Sequence, residues 1–166
     1  MTPPFAEVFA AHAPAVWRTM RRLAPSEADA DDLTQEVFVV VHRKLSGFEG
    51  RSKLSTWIYG ICVRVAADHR RRAHVRHETT GVAIPESEVA HVQADALEAA
   101  DARQALNALL AKLDEDKRAV FVLFELEEQS MAEVAAAVGV PLQTAYARLY
   151  AARRIIQEAL AKGGPE

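Results

Sequence analysis

Apolar positions recur at helical spacing along most of the chain, and polar breaks divide them into short elements. From Phe5 to Leu23, the residues Phe5, Val8/Phe9, Ala13, Val16/Trp17 and Met20 fall near one helical face. Pro14 interrupts that pattern and predicts a break or a first helical turn. Ser26 stands three residues before Asp29, with Asp31 and Asp32 following, so acids crowd the positive end of a helix predicted to about Leu45. Within it Leu33, Val37, Val40/Val41 and Leu45 repeat at spacings of three and four. The run from Val37 to Val41 is β-branched and aromatic and could by itself be a strand, but the flanking helix signals outweigh it. Breaks at Ser46-Gly47 and Gly50 then lead into a helix from about Leu54 to Arg72.

In the second half, Leu97, Leu106, Leu109, Leu110 and Leu113 give the stretch from Ala96 to Lys112 a helical period. Another helix is predicted from Asp114 to Glu128, with Val120, Leu123, Phe124 and Leu126 inside. Ser130 and Glu133 then form a capping box that opens a short helix through Val138. Gly139 ends it, Val140-Pro141 turn the chain, and a longer helix runs from about Leu142 to Ala161. A short helix, a glycine turn and a longer basic helix meet the requirements of a helix-turn-helix. On the second helix Ala145, Leu149, Ala152, Ile156 and Ala159/Leu160 make the buried stripe. That leaves Gln143, Thr144, Tyr146, Ala147, Arg148 and Tyr150 to face a DNA groove. An ordinary helical hairpin with a solvated polar face fits the same spacing.

Composition sharpens the fold class. The 166 residues include 32 alanines against 7 glycines and 7 prolines, which leans to an all-α fold. No apolar run approaches the roughly 20 residues a bilayer requires. The first residues lack a basic stretch followed by an apolar core, and a single Cys62 excludes an internal disulfide. These features predict a soluble cytoplasmic protein without membrane insertion. The net charge of −3 hides a strong partition: residues 1–77 carry +4, residues 78–101 carry −6, and residues 102–166 carry −1. The acidic stretch contains Gly81 and Pro85 and no sustained apolar period, so 78–95 reads as a flexible acidic linker. Two small helical domains, 1–77 and 96–166, flank it, and such a linker permits several placements of one against the other.

The basic first domain interleaves Arg51, Lys53, Arg64, Arg70, Arg71, Arg72 and Arg76 with Trp57 and Tyr59. Cations neutralise phosphates and exposed aromatic faces stack on unpaired bases, so the set suits single-stranded nucleic acid. A solvated, dipole-compensating helix end with Trp57 and Tyr59 in the core is the competing reading. The acids Asp29, Asp31, Asp32 and Glu36 are read as helix caps and dipole partners, not as an acid–base site. His74 and His77 lack further ligands nearby in sequence, so no metal or other cofactor is expected. No phosphate loop, nucleophile elbow or other catalytic signature occurs, and the chain does not read as an enzyme.

The segments 29–38 (DADDLTQEVF), 47–59 (GFEGRSKLSTWIY) and 68–72 (DHRRR) together resemble region 2 of bacterial RNA polymerase sigma factors. The stretch from Leu113 to Leu160, including 124–130 (FELEEQS), is similar to their region 4. The compact form, with only a linker between, resembles the extracytoplasmic-function (ECF) subfamily. The resemblance implies that Asp32, Gln35, Glu36 and Phe38 dock on core RNA polymerase. It implies that Arg51, Lys53, Trp57, Tyr59, Arg64 and Arg71 melt and read the promoter −10 element. Gln143, Thr144, Tyr146, Arg148 and Arg153 would contact the −35 element in duplex promoter DNA. An anti-sigma factor or other regulatory partner is also implied. The chain departs from many relatives at Gly60, Arg64, Tyr146 and Ala151, where a basic residue, Asn, and Lys or Arg at the last two are common. Two other readings compete: a stand-alone helix-turn-helix regulator, which leaves the basic–aromatic domain unexplained, and a sigma-like adaptor without promoter binding.

Overall fold

The computed structural model of the chain describes residues 2–24, 26–80 and 94–163. Among them every regular element is helical. Helix α1 (Phe5–Leu23) passes through Pro14 without a break. A proline inside a helix costs about 3 kcal/mol. Val8, Val16, Met20 and Leu23 are buried on this helix, and each fully buried side chain of that size contributes about 1.5–3 kcal/mol, so packing outweighs the defect. The expected stripe is narrower than the pattern predicts, because Phe9 and Trp17 remain exposed.

Ser26 caps α2 (Glu27–Lys44): its hydroxyl accepts from the Asp29 N–H at 3.2 Å and donates to Asp29 Oδ2 at 2.7 Å. The β-branched run lies inside this helix, with Val37 and Val41 buried and Val39 turned outward. A 3₁₀ turn (Leu45–Gly47) follows. Helix α3 (Leu54–Thr80) runs beyond Arg72 into the stretch expected to be linker, because no glycine or proline intervenes before Gly81. Helix α4 (Ala94–Leu110) likewise starts earlier than expected. The rest of the expected linker, 81–93, lies outside the described residues.

Asp114 caps α5 (Glu115–Phe121), accepting from the Lys117 N–H at 2.9 Å. The single helix expected from Asp114 to Glu128 changes character at Val122–Leu126, which form a π-helical turn. Glu128 then takes φ 56°, a left-handed conformation uncommon for a residue with a side chain. Helices α6 (Met131–Val138) and α7 (Leu142–Lys162) complete the chain.

Helices α1, α2 and α3 pack as one lobe, and α5, α6 and α7 as a second. The apolar core is continuous between them. Val122 and Ala152 of the second lobe, with Leu110 at the end of α4 and Leu113 in the turn after it, join the cluster containing Val16, Met20, Ile58, Ile61 and Cys62. Tyr59 of α3 inserts into the other cluster, among Val120, Leu123, Met131, Val134, Ala145 and Leu149. The lobes therefore share buried surface as well as a covalent connection.

Candidate nucleic-acid interface

The helix-turn-helix forms as its local chemistry requires. The Ser130 N–H donates to Glu133 Oε2 at 2.9 Å, and the Glu133 N–H donates to Ser130 Oγ at 3.1 Å. Gly139 at φ 76° ends α6 in the left-handed conformation that glycine adopts without strain. Ala145, Leu149 and Ala152 seat α7 on the core, whereas Leu160, expected in that stripe, is exposed beyond the packed part of the helix. Gln143, Tyr146, Ala147 and Tyr150 are exposed, and Thr144 and Arg148 are half-buried. The Tyr146 and Tyr150 rings stack at 6.1 Å. This surface is polar, aromatic and placed at the positive end of α7, where phosphate contacts are favoured. Two of its cations are tethered: Arg148 lies 3.8 Å from Asp116, and Arg153 Nε donates to Glu125 Oε1 at 2.6 Å while covering the Phe124 ring.

The basic–aromatic set of the first lobe divides into exposed and covered members. Arg51 pairs with Glu49 at 2.8 Å, and Arg64 is exposed on α3. Arg71 pairs with Asp68 one turn away, and Arg72 with Glu36 at 3.2 Å. Arg70 donates to the Leu23 carbonyl at 3.0 Å, and burial lowers its pKa. Trp57 is half-buried against Phe48, with ring centroids 5.2 Å apart. Lys53 reaches across the seam to Glu133 of α6 at 2.7 Å. Tyr59, expected on an open reading face, is only 7% exposed. Its phenol is pushed up to about 12, chiefly by burial, then by the Glu127 and Cys62 charges against an opposing Arg18, with a hydrogen bond to Glu127 adding to the shift. The side chain of Arg76 is not described.

On α2, Asp32 and Gln35 are exposed and Glu36 is half-buried; the three share a face with exposed Val39. Phe38 is not free to dock by its ring, which is buried against Phe5 and Phe9 at centroid distances of 6.4 and 4.7 Å. Beside it Phe5, Phe9, Gln35, Val39 and His42 line an open groove of about 370 Å³. Sequence reasoning missed Glu127. Its side chain is 4% exposed and accepts from Arg18 Nη2 at 3.2 Å and Thr19 Oγ1 at 3.1 Å. An acid-rich turn before the capping box was visible, but not its distant partners. Among the described residues no group of three His, Cys, Asp or Glu side chains could hold a metal ion, and no helix is long and apolar enough to cross a membrane.

Comparison with known proteins accounts for this arrangement. The family model Sigma-70 region 2 matches residues 8–76, and Sigma-70, region 4 matches residues 103–156. The ECF RNA polymerase sigma factor SigE of Mycolicibacterium smegmatis is 31% identical over 99% of this chain, which spans 64% of that protein's length. The ECF sigma factor SigC of Mycobacterium tuberculosis is 34% identical over 83% of this chain and 73% of its own. The Escherichia coli ECF sigma-E factor is 30% identical over 81% and 75%. In fold, the chain is similar to CnrH in complex with the cytosolic domain of CnrY (TM-score 0.73, 24% identity, 96% of this chain and 89% of that one). It is equally similar to RpoE of Bartonella quintana in complex with the anti-sigma factor NepR (TM-score 0.75, 24% identity, 96% and 98%). With region 2 and region 4 matched in order along one helical chain, this protein belongs to the ECF sigma factors of the sigma-70 family.

Proposed function

We propose that the chain binds core RNA polymerase and directs it to a subset of promoters, supplying recognition and strand opening while the polymerase carries out phosphoryl transfer. The observation that carries this reading is the pairing of a region 2 lobe with a capped helix-turn-helix that presents Gln143, Tyr146 and Tyr150 to solvent. Residues 1–77 are assigned the polymerase and −10 contacts, and residues 96–166 the −35 contacts. Asp32, Gln35 and Glu36 form the polymerase-facing surface, with Phe38 supporting it from beneath. Arg51, Lys53, Trp57, Tyr59, Arg64 and Arg71 serve strand opening; Gln143, Thr144, Tyr146, Arg148 and Arg153 serve the duplex. CnrH and RpoE were each solved with a partner, and a regulatory protein partner is proposed here as well.

The test is reconstitution with sigma-free core polymerase and a promoter library, followed by sequencing of transcript starts. Starts clustered behind a shared two-element motif are expected. Arg64→Glu and Arg148→Glu should each reduce selective initiation while polymerase binding persists. Equal initiation by wild type and both variants would refute the residue assignment, and polymerase binding without selective starts would refute the function.

A further inference from the structure

Two helices far apart in the chain bring the same spacing of side chains to one cleft. Arg18, Arg21 and Arg22 stand at i, i+3 and i+4 on α1, and Arg103, Leu106 and Asn107 repeat that spacing on α4, so each trio shares one helical face. Together the six residues line an open cleft of about 40 Å³. Leu106 packs against the apolar core and so anchors the turn of α4 that carries Arg103. Arg103 is exposed, and Arg21 and Arg22 are half-buried. The Arg21 guanidinium lies 4.3 Å from the centre of the Trp17 ring, and Arg18 donates to Glu127, which is not in the cleft wall. Among the described residues no carboxylate lines the cleft. Arginines in the last turn of α1 complement the negative end of its dipole. That reason does not place Arg103, which stands in the middle of α4.

A guanidinium offers five N–H donors and no acceptor, in a planar fork that meets two oxygens of a phosphate at once. Four of them on one cleft select an anion, and their summed charge favours one that carries more than a single negative charge. The cleft has room for about three waters, enough for a phosphate group and too little for a nucleobase. We propose that the cleft between α1 and α4, walled by Arg18, Arg21, Arg22 and Arg103, is a binding site for a polyphosphate anion: pyrophosphate, or the terminal phosphates of a nucleotide whose base stays outside. The Asn107 amide adds a neutral donor to the same wall. None of these residues belongs to the surfaces assigned above to polymerase or promoter DNA, so the site goes beyond that function and does not depend on it.

Isothermal titration calorimetry of the full chain with pyrophosphate, at physiological salt and with divalent cations chelated, tests the site directly. Saturable binding at one site per chain is expected. Arg22→Gln on α1 and Arg103→Gln on α4 each remove one charge from opposite walls and should each weaken binding roughly tenfold, with the circular dichroism of wild type. The two lie on separate helices, so either reports if the other fails to fold. Arg103→Lys keeps the charge without the fork and should recover only part of the loss. Arg154→Gln removes an exposed cation outside the cleft and should leave binding unchanged. Binding that weakens as much in Arg154→Gln as in the cleft variants is general counterion attraction and overturns the proposal, as does binding unchanged in both cleft variants. A single-stranded oligonucleotide without terminal phosphates carries diesters alone; if it displaces pyrophosphate and binds more tightly per phosphate, the cleft holds a nucleic-acid strand and the polyphosphate assignment falls.

Discussion

Arg118→Ala isolates the cost of a buried cation that bonds to backbone instead of to a carboxylate. The Arg118 residue is 4% exposed; Nε donates to the Leu110 carbonyl at 2.8 Å and Nη2 to the Leu113 carbonyl at 2.6 Å. The Leu110 carbonyl closes α4, at the negative end of its dipole, so the positive charge is favoured there; the Leu113 carbonyl lies in the turn that follows. Charge-assisted hydrogen bonds contribute about 1.5–3 kcal/mol each, which gives a gross gain of about 3–6 kcal/mol from the pair. Against this stands the desolvation of the guanidinium, which is several kcal/mol and is incompletely relieved because Nη1 is buried without a partner. Truncation removes that penalty but leaves a cavity. It also orphans the Leu113 carbonyl; the Leu110 carbonyl keeps the Leu113 N–H at 3.0 Å. The net loss is expected to be about 3–5 kcal/mol, a large share of a typical stability of about 5–15 kcal/mol. Arg118→Met fills the space without the charge and should lose only about 1–3 kcal/mol. Urea denaturation followed by circular dichroism measures both, and the melting temperature of Arg118→Ala should fall by roughly 10 °C. An Arg118→Ala protein within about 1 kcal/mol of wild type would show that desolvation cancels both bonds, and the reasoning would fail.

Leu149→Ala removes a side chain that is 1% exposed beneath the recognition helix, and should cost about 2–5 kcal/mol in denaturant with parallel loss of −35-dependent initiation. Cys62 is fully buried and its thiol is pushed up to about 12, first by burial, so an aromatic disulfide reagent should label it at the unfolding rate; rapid labelling of the native chain would contradict that burial. Glu133 titrates below its ordinary value of 4.5, first through the hydrogen bond from Lys53 and then through that from the Ser130 N–H. A carboxyl depressed in the folded state contributes stability above its unfolded pKa and loses it as pH falls through the folded one. The Lys53–Glu133 contact should therefore be intact at neutral pH and weaken on acidification below about 4.5; lobe separation measured by X-ray scattering that decreases over that range would reverse the sign.

The helical class, the caps and the turn chemistry were legible from the residues alone, because each depends on groups within about four residues of one another. Ser26 with Asp29, the Ser130–Glu133 box and Gly139 at the end of α6 all form where the letters place them. The family was legible for the same reason, since its region 2 and region 4 motifs are contiguous stretches. Pro14 and the π turn at Val122–Leu126 were not legible. A local rule assigns a helix break to the first and plain α-helix to the second; packing of α1 overrode the first, and no signal within a few residues marks the second.

Which apolar faces meet emerges only once the helices have packed. Helical periodicity marks a side chain as facing a core without saying whose core it is. Tyr59 therefore reads equally well as an exposed base-stacking platform and as the buried plug it is against the second lobe. Glu127 reads as one acid among several until the fold brings it to Arg18, 109 residues earlier in the chain. Gly60 reads as a departure from a family pattern until α6 crosses above it. Each of these contacts joins positions far apart in the chain, and the entropy lost in bringing such segments together is repaid only when the whole seam forms at once.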